Sequence, residues 1–397
     1  MKVLIIHTTY KYKGGEDTVV EEEMKLLQAN AVTVKLLEFN NDKNAALKLL
    51  QLPFNFQSYI KTRKKLQAYK PDVVHIHNLH FGASPSVIYA IKKSKIPFVF
   101  TLHNYRLLCP SAILFYKGKP FLNSIHQSFP WKAIELGIYK SSKIITFWVS
   151  LSTQIHKWLG TWKKCNKYIV LTEHAKKMFL QSALQLTARQ IAVKPNFCAA
   201  PPLKEPIASD YFLYVGRLSE EKGIQMLLQV FSLCNYKIKI AGDGPLKDEV
   251  IKYSSKHTNI QFLGSLNKEN IFPLLQSSSA LVFPSIWYEG MPLTIIEAFA
   301  CGSPVIASKL GAMETMIVHK YNGLHFQPEN VNDLIQKLHE WQNLKEEEKA
   351  IYRINAQKTY KQYYTPEKNA EQLLAIYTSV IVEKKVIVSS FVRADLK

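Results

Sequence analysis

The sequence predicts an α/β protein made of two parallel-sheet βαβ domains, and three observations carry that expectation. Short apolar runs such as PDVVHIHN (71–78) and IPFVFTLHNYRLLCP (96–110) are bounded by turn residues, as strands buried on both faces of a parallel sheet are. Helical patterns alternate with such runs, which is the order a βαβ fold requires. A stretch with three prolines and no periodicity, CAAPPLKEPIASD (198–210), interrupts the alternation, which restarts at YFLYVGRLSEEKGIQMLLQVF (211–231). A chain of 397 residues is also too long for one small core. The expected division is a first domain over 1–197, a linker over 198–210, a second domain over 211–355, helices over 356–382 and a loose charged tail over 383–397.

Taken in order, Val3–Ile6 is a first buried strand, its apolar run being too short for a secretory signal. A loop with Gly14 and Gly15 follows, leading into the helical pattern EDTVVEEEMKLL, where Glu16 suits a cap. Glycines there let a loop approach a ligand at the carboxyl end of strand one, though the pair is equally a simple turn. The next two strands end in histidines: His75 and His77 in one, His103 in the other. His103 with Asn104 stands where an open α/β sheet places its ligand crevice, whereas His75 and His80 read as structural. His75, His77 and His80 find no carboxylate or cysteine at a suitable spacing for a zinc site. Residues 111–165 are mixed aromatic and basic and read as helices and a loop of the first domain.

In the second half, Arg217 and Lys222 stand on a strand-end loop bracketed by Gly216 and Gly223. Two cations there suit a diphosphate. The loop is no P-loop, since its lysine precedes the glycine and no Ser/Thr follows. In AGDGPLK a lysine, Lys247, replaces the third glycine of a dinucleotide fingerprint and a proline intervenes. The most informative stretch is FPSIWYEGMPLTIIEAFACGSPVIAS (283–308), with Glu289 and Glu297 eight apart. Pro292 suits a first helical position, Leu293 and Thr294 follow, and Glu297 lies about one turn (~6 Å) further in. The free N–H groups of such a start form an anion site. Two carboxylates beside it would repel a diphosphate and call instead for a hydroxyl-rich neutral group, so a nucleotide sugar fits; ordinary exposed helix-end glutamates would show the same spacing.

No run of about 20 apolar residues spans a membrane. Five scattered cysteines without metal-ligand pairing read as free thiols in a reducing cytoplasm. A net charge of +20 calls for an acidic partner: a membrane surface, a nucleic acid or phosphorylated substrates. Lysines cluster in the first half, and Trp148, Trp158 and Trp162 lie near Lys163, Lys164 and Lys167. That interleaving favours a lipid headgroup surface; a core-packed helix with a solvated rim is the other reading.

GRLSEEKG, EGMPLTIIEAFACGSPVIAS and HNYRLLCP together resemble the family-four retaining glycosyltransferases, and the likeness runs over nearly the whole chain. The resemblance implies the GT-B fold, two Rossmann-like βαβ domains facing across a donor-binding cleft, with the last helices crossing back onto the first domain. It implies that Arg217 and Lys222 bind the donor diphosphate, with Gly216 in their loop, and that Glu297 holds the ribose hydroxyls. Glu289 and the backbone of Gly290, Met291 and Leu293 would hold the transferred sugar, with Thr294 at the phosphate. His103 matches the family histidine that meets the sugar, and Gly15 the loop beside it. The family uses no metal and no cofactor beyond its donor, and no D-x-D occurs here. The expected partners are a nucleotide-diphosphate sugar, a glycan or lipid-linked acceptor and an anionic membrane surface, with the protein peripheral on its inner face. Two alternatives stand beside a hexosyltransferase of polysaccharide synthesis. One is an epimerase or phosphorylase of the same fold; the other is a basic nucleic-acid-binding protein, which lacks an aromatic–basic recognition motif here.

Overall fold

A computed structural model describes residues 1–9, 14–41, 45–202 and 209–394. Residues 203–208 of the expected linker and 395–397 of the expected tail lie outside them. Two compact units emerge: residues 1–112, 122–195 and 369–397 in one, residues 113–121 and 196–368 in the other.

The first unit carries six strands: β1 (Lys2–Thr9), β2 (Thr33–Asn40), β3 (Val73–Ile76), β4 (Phe98–Leu102) and, beyond the hairpin β5 (Phe115–Tyr116) and β6 (Lys119–Pro120), β7 (Lys167–Val170) and β8 (Ile191–Val193). They lie in the order β2-β1-β3-β4-β7-β8, all parallel. Val3 to Ile6 are fully buried, which is why that run carries no polar alternation. Its helices are α1 (Gly15–Ala29), α2 (Ala45–Leu50), α3 (Phe56–Tyr69), α4 (Ser86–Lys93), α5 (Trp131–Leu136), α6 (Lys143–Trp158) and α7 (Glu173–Leu180). Gly15 opens α1 rather than lying in a loop, and the capping carboxylate is Asp17, which accepts from Gly14 N at 2.8 Å, not Glu16.

The second unit repeats the plan with β9 (Tyr211–Val215), α8 (Ile224–Leu233), β10 (Lys237–Ala241), α9 (Lys247–Lys256), β11 (Ile260–Gly264), α10 (Lys268–Ser277), β12 (Ala280–Phe283), α11 (Leu293–Ala300), β13 (Val305–Ser308), α12 (Ala312–Met316), β14 (Gly323–Phe326), α13 (Val331–Gln342) and α14 (Glu346–Tyr363). Its sheet runs β11-β10-β9-β12-β13-β14, again parallel.

Three boundaries differ from the sequence expectation. The β5–β6 hairpin belongs to the second unit, where a Cβ on Gly118 would stand 3.2 Å from Oε1 of Glu220. The helical run expected to leave the second domain at 356 stays there through 368, because α14 buries Ala356 and Tyr360 and the Tyr360 hydroxyl donates to Cys198 O at 2.8 Å. Only along α15 (Pro366–Ala394) does the chain join the first unit, where Leu373, Tyr377 and Val380 pack against Val3, Ile5 and Leu27. The expected loose tail is helical through Ala394. No described helix is long and apolar enough to cross a membrane.

Candidate active site

Strand order reverses between β9 and β12, which pair through Phe212↔Ala280 and Leu213↔Leu281. The loops leaving the carboxyl ends of two such strands diverge to opposite faces and leave a crevice, which is where open α/β sheets bind ligands. The β9 loop carries Gly216, Arg217 and Lys222; the β12 loop carries Ser285 and Glu289.

The two loops are held against each other by backbone. The β9 loop closes on a 3₁₀ turn, Glu220–Lys222, that ends at Gly223 with φ +72°. A Cβ there would meet Pro284 O at 2.1 Å, so only glycine allows the approach. Ile286 N then donates to Glu221 O at 3.0 Å. On the other side, a Cβ on Gly242 would stand 1.9 Å from Gly216 O, and Leu218 N donates to Asp243 O at 2.9 Å. The glycines of AGDGP, unsuited to a dinucleotide, are thus the backbone support of the Arg217 loop.

This arrangement brings Lys222 Nζ to 2.6 Å from Oε1 of Glu289, and the same oxygen accepts from Ser285 Oγ at 2.7 Å. Glu289 is buried, and the Lys222 ammonium lies 5.5 Å over the Phe283 ring and 5.3 Å over that of Trp287. Arg217 is exposed, its carbonyl accepting from the Tyr214 hydroxyl at 2.8 Å. Among the described residues no carboxylate lies in ion-pair range of its guanidinium.

Helix α11 starts one residue later than the sequence suggests. Pro292 is its N-cap, with φ −72° but an extended ψ of 114°, so Leu293 is the first helical residue. The proline ring fixes φ alone, and φ near −65° suits both positions. Leu293, Thr294 and Gly290 are half-buried, while Met291 is buried with its Sδ 3.2 Å from Asn196 N. Glu297 is buried, and Lys268 Nζ lies 3.1 Å from its Oε1. Neither Lys268 nor Ser285 was found by sequence reasoning: Lys268 lies in a separate segment with no motif around it, and Ser285, though inside the 283–308 stretch, carries no pattern that marks it as a partner of Glu289. Burial, with Glu297 nearby, pushes the Cys198 thiol up to about 12 and raises that of Cys301 as well.

His103 and Gly15 belong to the first unit, where His103 follows β4 and is half-buried. Its Nε2 lies 2.9 Å from Nδ1 of His77. His77 and His75 in turn face a carboxylate the sequence reading did not find: Glu23 of α1, whose Oε1 lies 3.1 Å from each ring. Helical periodicity gives Glu23 no mark as a partner of a strand so far along the chain. His7 is bound to Asp17 at 2.8 Å in the same region. Burial drives the His77 pKa down to about 3, and burial, then His77, holds that of His103 well below the ordinary value. Burial opposes the Glu23 carboxylate, but Lys194 and the two histidines outweigh it and keep its pKa low.

Glu23, His75 and His77 offer ligand atoms within 4.8 Å of one another, a spacing a metal ion can bridge. The charges do not fit one. Lys194 Nζ, itself buried, lies 3.0 Å from Oε2 of Glu23 and 3.1 Å from Oδ1 of Asn369, and the Tyr377 hydroxyl lies 2.6 Å from Nδ1 of His75. Glu23 and Lys194 already form a neutral buried pair, and a dication would add two uncompensated charges.

Two six-stranded parallel sheets in this arrangement are the fold of the GT-B glycosyltransferases, and two family models place the chain among glycosyltransferases. The family model "Glycosyltransferase Family 4" matches residues 14–198 and "Glycosyl transferases group 1" matches residues 201–359. The chain belongs to this group 1, family-four set of glycosyltransferases. It is 25% identical over 365 residues to an uncharacterised glycosyltransferase of Methanocaldococcus jannaschii, covering 88% of this chain and 91% of that one. It is 27% identical over 186 residues to the O-antigen chain mannosyltransferase C of Escherichia coli, covering 46% and 50% of the two chains. Anabaena HepE, solved in complex with UDP-glucose, shares the fold with a TM-score of 0.65 at 16% identity, over 96% of this chain and all of that one (100%).

Proposed function

We propose that this glycosyltransferase moves a hexose from a nucleotide-diphosphate sugar to a glycan or lipid-linked glycan in cell-surface polysaccharide synthesis, with retention of anomeric configuration and without a metal. The observation that carries the reading is the 2.6 Å contact of Lys222 with Glu289 beside the start of α11. A leaving nucleoside diphosphate gains negative charge as the glycosidic bond loosens. Arg217, Lys222 and the first N–H groups of α11 stabilise that charge where a metal would serve elsewhere. Glu289 and Glu297 accept from hydroxyls of the sugar and the ribose. Retention is taken from the family resemblance.

Support for a polysaccharide role comes from the O-antigen mannosyltransferase, and for a nucleotide sugar from HepE. The protein acts at the cytoplasmic face of a membrane, where lipid-linked acceptors present their glycan. A donor screen decides the matter. Nucleotide sugars are tested by thermal shift, and products by mass spectrometry in the presence of a chelator. A stabilising donor that yields a glycosylated acceptor despite chelation is expected. Release of free sugar phosphate, an epimerised donor, or activity that a chelator abolishes would overturn the reading.

A further inference from the structure

Helix α6 is built inside out. Its buried residues are Thr146, Val149, Ser150, Ser152, Gln154 and His156, polar in all but one case. The hydroxyls are satisfied at home: Thr146 Oγ1 donates to Ser142 O at 2.7 Å and Ser150 Oγ to Thr146 O at 2.7 Å. The outward stripe is apolar, with Ile144 82% exposed and Trp158 71% exposed, Phe147 between them, and Leu151 and Ile155 half-buried along the same line. A helix packed on a domain for its own stability shows the reverse pattern.

The stripe is one part of a continuous apolar surface within the first unit. Trp131 of α5, 65% exposed, stands 4.7 Å from the Phe129 ring, which is 6.2 Å from that of Phe147. Trp148 Nε1 donates to Leu49 O at 2.6 Å, joining α6 to α2, where Leu47 and Leu50 are exposed. His156 Nε2 lies 2.6 Å from Pro53 O, at the segment that exposes Phe54 and Phe56. Single exposed apolar residues are ordinary, but a connected set marks a docking face. Trp148 and Trp162 are not part of it as the sequence suggested: Trp148 is half-buried, and Trp162 is buried with its indole donating to Thr153 O.

Charge says what the face meets. The two chain segments that supply α2, Phe56 and α6 lack acidic residues, and the third, with Phe129 and Trp131, brings one, Glu135, which pairs with Lys132 at 2.9 Å. From 43 to 71 there are seven lysines and arginines and no aspartate or glutamate; from 136 to 172 there are six lysines and again no carboxylate. An apolar stripe about 24 Å long, as sixteen helical residues make, flanked by segments with a large excess of lysine and arginine over carboxylates, matches the layered chemistry of an anionic bilayer surface. We propose that α6, with α2, Trp131 and Phe56, lies in the headgroup layer of an anionic membrane, Ile144, Phe147 and Trp158 entering the acyl boundary. This gives the membrane location proposed above its surface, yet it stands on the face itself and not on the transfer chemistry.

The test uses the full chain with phosphatidylcholine vesicles, with and without phosphatidylglycerol. Co-sedimentation is expected only with the anionic vesicles, falling steeply as salt rises. Brominated acyl chains should quench tryptophan fluorescence. The double variant Ile144→Asp, Trp158→Asp should bind at least about tenfold more weakly, as the loss of two inserted apolar side chains requires. Its melting and its nucleotide-sugar thermal shift should match the parent's, and Trp131→Asp gives an independent second reading. Equal binding to neutral and anionic vesicles, unchanged binding by both variants, or a stable self-association that the double variant abolishes would overturn the proposal. Any of these outcomes with donor binding intact leaves the transferase reading standing.

Discussion

Nδ1 of His77 lies 2.9 Å from Nε2 of His103, with the rings stacked at a centroid distance of 5.2 Å. A bond between two imidazoles needs one ring to donate and the other to accept, so at least one ring is neutral, and burial, which lowers the pKa of both, favours the neutral form of each. Behind it, Glu23 and Lys194 supply a buried ion pair of zero net charge.

That arrangement predicts early acid loss of stability. The folded pKa of His77 is about 3 against an ordinary 6.5, and that of His103 is also lowered. A group lowered in this way contributes stability in full above its unfolded pKa and loses it as pH falls toward the folded value. The loss should therefore start near pH 6.5, before any carboxylate titrates at its ordinary 4.5, with a slope of at most about 1.4 kcal/mol per pH unit for each histidine. Urea midpoints measured through this window check it. A flat midpoint down to pH 4.5 would show that the rings are not held neutral.

The proposed roles predict a division of labour among four variants. Arg217→Ala and Lys222→Ala remove charge where the leaving group develops it, and each should cost on the order of 2.7–4 kcal/mol of transition-state stabilisation, about 10²–10³ in turnover. Glu297→Ala should mainly weaken donor binding, since ribose hydroxyls change little on the way to the transition state. His103→Ala should lower turnover with donor affinity nearly intact, its role by family resemblance being at the sugar. Calorimetry and turnover separate the two quantities. Normal turnover in His103→Ala, or unaffected binding and rate in both cation variants, would move the site elsewhere.

Two glycines with similar dihedrals predict different costs. Gly223, at φ +72°, faces Pro284 O at 2.1 Å from a would-be Cβ, whereas Gly160, at φ +61°, has nothing within 4 Å. Gly160→Ala carries only backbone strain, while Gly223→Ala must also part the two site loops. The first should cost roughly 1 kcal/mol and the second clearly more, at or beyond about 3 kcal/mol, with loss of donor binding. Equal melting shifts for the two would mean the loops are not pressed together.

How much of this was legible varies with the kind of signal. Strands such as Val3–Ile6 and Tyr211–Val215 were readable because burial on both faces leaves an unbroken apolar run. The site segment around Glu289 was readable because one short stretch holds the loop and the helix start together. Glu23 and Lys268 were not, because each reaches its partner only through the sheet's topology, and Ser285 was not, because its contact with Glu289 depends on how the loop turns. The start of α11 was missed by one residue because proline restricts φ and leaves ψ to its neighbours. For α6 the tryptophans and lysines were visible, but periodicity shows that a helix has two faces without saying which one turns inward. Its buried hydroxyls, bonded to their own turn, decided that.

The return of α15 to the first unit has a consequence for synthesis. The ribosome delivers β1 before the second unit and Leu373, Tyr377 and Val380 after it, yet these residues share one core. The second unit, residues 196–368 with the 113–121 hairpin, is synthesised in full before they are. The first unit is therefore begun before the second and finished after it, and its nascent sheet waits with Val3 and Ile5 uncovered while the second unit is made. A chain stopped after 368 should accordingly keep a cooperative melt for its second unit and expose the first to protease.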